Sequence, residues 1–233
     1  DGARAPITSA MNYRQLTTAE ASLATPGTYR ITTGQRAGRT ARQALVGGVW
    51  RPVRAAPAAP PAGATPSPAQ LQPPMRQAPR AQEGEEDAGP ILESELPRRA
   101  RIVETTNVLI AETYVSRGAP TQGALAPTGQ GFELRPVTHP NAIFVDEGFT
   151  FELLNDGRPI PGLHVSAVRG GDPYAAQRTT GEATTDLQGR ATLTLAQPGI
   201  YVLETRYPAR EPGTRAAPAA KSYTYSLTFE VTR

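Results

Sequence analysis

A stretch of this chain is written twice, and the repeat constrains the fold more than any other feature. Residues 17–33 read TTAEASLATPGTYRITT, and residues 189–205 read GRATLTLAQPGIYVLET. In each, small or apolar residues alternate (Ala19, Ala21, Leu23; Ala191, Leu193, Leu195) and run into Ala-x-Pro-Gly. A tyrosine, Tyr29 or Tyr201, then opens a second alternating run. Period-two alternation predicts strands with one buried face. Pro-Gly between two such runs predicts a tight reversal, because Pro presets φ and Gly adopts backbone angles that other residues resist. A Tyr just past that reversal predicts a tyrosine corner, with the ring packed and the hydroxyl returned to backbone a few residues upstream.

Two copies far apart predict two β-sandwich modules, with the tyrosine corner of immunoglobulin-like sandwiches. The 233 residues suffice for two such domains of about 100 residues each. Without cysteine the fold has neither disulfides nor thiolate metal sites. Lys221 is the only lysine, and the net charge of +3 is spread along the chain without a basic run or interleaved aromatics. That pattern argues against nucleic acid as a partner. No apolar stretch approaches the ~20 residues of a membrane-spanning helix. The opening at Asp1-Gly2 reads as a hairpin tip already under way, so we expect residues upstream of it.

Composition divides the chain further. Residues 1–50 read as the first part of an N-terminal sandwich. They include a loosely patterned segment from Met11 to Leu16 and the apolar patch Ala44-Leu45-Val46-Gly47-Gly48-Val49-Trp50. Residues 51–100 are rich in Pro and Ala and carry the acidic residues Glu83, Glu85, Glu86 and Asp87. Such a stretch buries too little apolar surface to offset its ordering entropy and reads as a linker or insertion. Leu71 and Ile91-Leu92 are its candidate docking points. Residues 101–142 read as strands completing the first sandwich, and residues 143–233 as a C-terminal sandwich. In the latter, Asn155-Asp156-Gly157 is a turn signal, and Tyr223, Tyr225, Leu227, Phe229 and Val231 mark the apolar face of a terminal strand.

The turns Asp156-Gly157-x-Pro159-x-x-Gly162 and Thr185-Asp186-x-x-Gly189, with the corner Pro198-Gly199-x-Tyr201, resemble those of the transthyretin-like repeats of carboxypeptidase regulatory-like and collagen-adhesin B-type domains, which implies that the sandwich of residues 143–233 is transthyretin-like. A longer series of motifs resembles the bacterial domain-of-unknown-function 4198 family. It runs Glu112-Thr113-Tyr114-Val115-Ser116-Arg117-Gly118, Gly129-x-Gly131-Phe132-Glu133-Leu134-x-Pro136, Thr138-His139-Pro140-Asn141 and Asp156-Gly157-Arg158-Pro159. The resemblance covers nearly all of the chain outside the Pro-rich segment. It implies a secreted, periplasmic or outer-membrane-associated protein linked to nickel or cobalt uptake. It also implies a His-containing opening segment, which this sequence lacks. The adhesin-type likeness brings a Lys–Asn isopeptide bond into view, but Lys221 begins the last strand, opposite to the usual arrangement.

Chemistry-bearing residues are few. His139, with Glu133 upstream and Asp146 and Glu147 downstream, is the one candidate site for a transition-metal ion, since imidazole and carboxylate both suit nickel, cobalt or zinc. The alternative is that His139 bonds backbone and the carboxylates are solvated. His164 stands between Leu163 and Val165, so alternation turns it to solvent. Gly170-Gly171-Asp172 lacks phosphate-loop spacing, and no nucleophile elbow accompanies any serine. We therefore expect a non-enzymatic binding or accessory protein. The alternative is a structural or interaction module of the cell envelope that pairs with an outer-membrane transporter, or with itself, through sheet edges. Glycan binding through Trp50 or Tyr174 is a weaker third reading.

Overall fold

The strands follow from runs of β-branched, aromatic and alternating residues punctuated by Gly and Pro. The computed structural model describes residues 4–14, 16–55, 89–171, 179–209 and 216–233. Its first strands are β1 (Ser9–Tyr13), β2 (Leu16–Glu20), β3 (Gly27–Thr32), β4 (Arg36–Val46), β5 (Val49–Arg54) and β6 (Ile91–Leu92). The long β7 (Arg101–Arg117) and β8 (Phe132–Pro136) follow, then β9 (Phe149–Asn155), β10 (Arg158–Pro159) and β11 (His164–Arg169). The last are β12 (Thr179–Thr184), β13 (Arg190–Leu193), β14 (Gly199–Tyr207) and β15 (Lys221–Val231). The protein is all-β, and the helical elements among the described residues are short 3-10 turns at Glu93–Glu95 and Gly123–Leu125.

Two units share these strands. The first comprises the described residues of Asp1–Gly38, Asn107–Ala209 and Ser222–Arg233; the second comprises those of Arg39–Thr106 and Arg210–Lys221. In the first unit, one sheet runs β12-β11-β14-β15-β7 with β3 paired to β7. A smaller sheet is built around β9, which pairs with β8, β10 and β13. One apolar core holds residues of both sheets, from Val108 and Ile110 through Phe149, Phe151 and Leu193 to Leu227 and Val231. Its aromatic rings bridge strands: Phe149 lies 5.1 Å from Phe229, and Phe132 lies 5.5 Å from Tyr225. Each fully buried Phe or Leu contributes about 1.5–3 kcal/mol.

This core runs across the boundary predicted at residues 142 and 143. β8 pairs with β9, and Val108, Ile110, Tyr114, Phe132 and Leu134 pack with the residues assigned to a separate C-terminal sandwich. The physical reason is β7. Its seventeen residues are too long to complete a small first sandwich, and its apolar positions Val108, Ile110 and Tyr114 are buried in that single core.

The second unit is built on the remainder of β4, on β5 and β6, and on the start of β7. Gly47 and Gly48, at φ of +64° and +86°, close the β4–β5 hairpin that pairs Leu45 with Trp50. β6 pairs in parallel with β5, placing Ile91 beside Val53. Arg51–Arg54 and Ile91–Leu92 are thus strands at the ends of the predicted linker, and Ile91 is buried, as expected of a docking point. Arg42 bonds Glu93 at 2.5 Å. Trp50 is buried with Arg101 over its ring at 5.7 Å, so it is not an exposed glycan platform. Leu71, Glu83, Glu85, Glu86, Asp87, Asp172 and Tyr174 lie outside the described residues.

Candidate functional site

Both predicted tyrosine corners are present. The Tyr29 hydroxyl donates to the Thr25 carbonyl at 2.7 Å, and the Tyr201 hydroxyl donates to the Gln197 carbonyl at 2.8 Å. Gly27 and Gly199 carry the reversal at φ of +139° and +144°. An arginine at the end of a neighbouring strand fastens each corner. Arg117 donates to the carbonyls of Leu23 and Ala24 at 2.7 and 2.5 Å, and Arg169 donates to the Pro198 carbonyl at 3.0 Å.

The faces of β3 and β14 differ. β14 pairs Tyr201 with Phe229 and Leu203 with Leu227, so Tyr201 and Leu203 enter the core. β3 pairs Thr28 with Ser116 and Arg30 with Tyr114. Residues directly opposite share a face, so Thr28 and Arg30 take the side of buried Tyr114 and Tyr29 takes the other. That slip of one residue gives the interior a set of polar groups.

The first polar group is charged. Arg30 Nε lies 3.2 Å from Glu112, and its Nη2 lies 3.8 Å from Glu133; both carboxylates are buried. Tyr225 donates its hydroxyl to Glu112 at 2.8 Å. Glu133 also accepts the backbone N–H groups of Thr128, Gly129 and Gln130 and the Thr128 hydroxyl, at 2.7–3.3 Å. Burial, then the nearby Glu112 charge, pushes the Tyr114 phenol far up and holds Tyr225 well above its ordinary value. For Arg30, burial lowers the pKa, but Glu112 first and then Tyr114, Tyr225 and Glu133 outweigh it, so the net direction is upward.

The second group is built around His139. His139 Nδ1 accepts the backbone N–H of Asn141 at 3.1 Å, which places the proton of a neutral imidazole on Nε2. Nε2 lies 3.0 Å from the Thr28 hydroxyl and 3.3 Å from the Thr121 carbonyl. Thr28 Oγ1 accepts the Thr121 N–H at 2.8 Å and lies 2.9 Å from Ser116 Oγ. Ser116 donates to Asn141 Oδ1 at 2.8 Å, and Asn141 Nδ2 donates to the Tyr114 carbonyl at 3.1 Å. In this chain the hydroxyl protons run away from the imidazole, from Thr28 to Ser116 to Asn141. A general base needs the reverse direction, with an unprotonated nitrogen facing the hydroxyl.

The predicted metal set is therefore dispersed. Glu133 sits in its backbone cradle, His139 uses both nitrogens locally, and Asp146 and Glu147 are exposed on the turn before β9. Among the described residues no three His, Asp or Glu side chains gather to hold a metal ion. Within the described residues, the predicted set His139, Glu133, Asp146 and Glu147 is not brought together as a nickel or cobalt site. His164 is exposed beside Glu182 at 3.8 Å, the orientation alternation predicted.

Sequence reasoning missed Arg30, Glu112 and Thr28 as interior polar groups, and of the three only Glu112 carried a signal. Glu112, Tyr114, Ser116, Glu133, His139 and Asn141 all stand in the motifs that carry the family resemblance, and the structure ties them together through β3.

A different surface is open. β1 and β2 form a two-stranded sheet in which Met11 pairs with Thr18 and Tyr13 with Leu16. Period two puts Met11, Tyr13 and Leu16 on one face, and they are 74%, 67% and 62% exposed. Among the described residues no helix is long and apolar enough to cross a membrane.

A family model described as a domain of unknown function, DUF4198, matches residues 2–209. No curated protein matches the chain.

Proposed function

The chain belongs to the DUF4198 family, and from that premise we propose a non-enzymatic accessory protein of the bacterial cell envelope that binds an outer-membrane protein through the β1–β2 hairpin. The observation carrying this reading is the exposed apolar face of Met11, Tyr13 and Leu16. An isolated two-stranded sheet is marginally stable in water, and its free edges offer unpaired N–H and C=O groups to another strand. An apolar face on such an edge suits strand addition to a β-rich partner. The interior polar groups support the same reading, because His139, Glu133, Glu112 and Arg30 are bonded to one another or to backbone. The uptake association implied by the family makes nickel or cobalt the cargo of the partner in this reading. Self-association through the same edges is the competing arrangement.

A photo-crosslinking amino acid at position 13 tests it in intact cell envelopes, with position 187 as control because Leu187 is 82% exposed on a turn remote in sequence. Crosslinks to an outer-membrane protein from position 13 alone are expected. Equal crosslinking from both positions, or crosslinks only between copies of the chain, overturns the reading.

A further inference from the structure

A second surface feature is independent of the hairpin. On β9, Glu152 has Arg135 of β8 as its direct partner on one side and Arg190 of β13 on the other. Both guanidinium groups share this one carboxylate: Arg135 bonds Oε2, and Arg190 bonds Oε1 at 3.0 Å. The Glu152 side chain is only 10% exposed, whereas those of Arg135 and Arg190 are 44% and 50% exposed. Two cations thus stand on one anion. Each guanidinium has five N–H donors in a fork matched to carboxylates, so most of them are left unclaimed by Glu152.

Both arginines line an open cleft of about 430 Å³ together with Gln122, Pro127, Pro136 and Val137. That volume lies within the range of small-ligand pockets. Its lining thus combines apolar side chains with the surplus positive charge of the two arginines and the Gln122 amide. We propose that this cleft binds a small monocarboxylic acid, its carboxylate on Arg135 and Arg190 and its apolar body against Pro127, Pro136 and Val137. Glu152 then has a defined role. It holds the two forks in place across the sheet and tempers their charge, so one carboxylate, and not a dianion, neutralises the site.

Sodium hexanoate is the probe, titrated into the intact chain at low salt while backbone and arginine side-chain NMR signals are followed, with inorganic phosphate as a parallel arm. The expected result is saturable hexanoate binding with shifts centred on Arg135, Val137 and Arg190. Arg190→Gln should weaken it about tenfold, the effect of losing one charge-assisted pair. Val137→Asp, on an exposed side chain that leaves the core intact, should weaken hexanoate at least as much. Glu152→Gln, isosteric and uncharged, should tighten it. Absence of saturation overturns the site. Phosphate binding as tight as hexanoate, with Val137→Asp affecting both alike, overturns the carboxylic-acid assignment. Equal affinities in Glu152→Gln and Arg190→Gln overturn the role of the arginine pair.

Discussion

The copies of the repeated phrase around Tyr29 and Tyr201 build the same corner and put opposite faces of the following strand to work. After Pro198-Gly199, Tyr201, Leu203 and Thr205 point inward, and the Tyr201 ring lies 5.9 Å from Phe229. After Pro26-Gly27, Thr28 and Arg30 take the inward side and Tyr29 lies half-buried on the other. The strands before the corners diverge too. Ala191, Leu193 and Leu195 are buried, whereas β2 lies in the exposed hairpin with β1. The hydroxyl-to-carbonyl bond four residues back is local and survives either orientation. Which face is buried depends on the strand across the sheet, and a one-residue slip exchanges the faces.

The largest expected contrast is truncation of the two rings. Tyr201→Ala removes a fully buried aromatic ring and should cost about 4 kcal/mol in urea unfolding. Tyr29→Ala should cost clearly less, and equal losses would break the comparison. Next is Arg30→Leu, which strands the Glu112 charge in the interior and should cost about 3 kcal/mol. Adding Glu112→Leu to it should recover part of the loss, sharpening the claim that β3 supplies the counter-charge.

The reversals themselves should behave alike. Gly27→Ala and Gly199→Ala each force a side chain into left-handed backbone, against Thr121 Oγ1 at 3.2 Å and Arg169 Nε at 2.9 Å. Both should lose about 1–2 kcal/mol; a large inequality would mean that the corners are not equivalent.

The smallest effect is in titration. Hydrogen bonds from the Thr25 side chain and then its backbone N–H favour the Tyr29 phenolate and lower its pKa, while burial raises that of Tyr201. Tyr29 should ionise below about pH 10 and Tyr201 above it, followed by tyrosine ring NMR shifts. The signs for stability are opposite. The folded protein keeps the Tyr201 proton longer than the unfolded chain, so that contribution is complete below the unfolded pKa and is lost as pH rises. Ionisation of Tyr29 is favoured by folding, so its contribution grows as pH passes through its folded value.

Local features were legible because their causes are local. The corners, the Asn155-Asp156-Gly157 turn, the outward His164 and the terminal strand all follow from residues a few positions apart. The single core was not, because it depends on pairings such as Tyr225 with Glu112, 113 positions apart. Period-two alternation identified the run from Ala19 to Leu23 as strand, but whether another strand covers it is a property of the whole fold. His139 and Glu133 were singled out as candidate metal ligands, and in the structure each bonds local backbone instead. Their partners, Thr28 and Arg30, lie in the first copy of the phrase, over 100 positions upstream of both, where nothing in their spacing pointed to them.

The central claim is that both corners belong to one sandwich and one core, with β3 and β14 in the same sheet. Native-state hydrogen exchange at rising denaturant measures this directly. The account predicts that the protected amides of Gly27–Thr32 and Gly199–Tyr207 open together, with the same free energy and the same denaturant dependence. Opening of Gly27–Thr32 at lower denaturant, as a separate unit with β14 still protected, would contradict it.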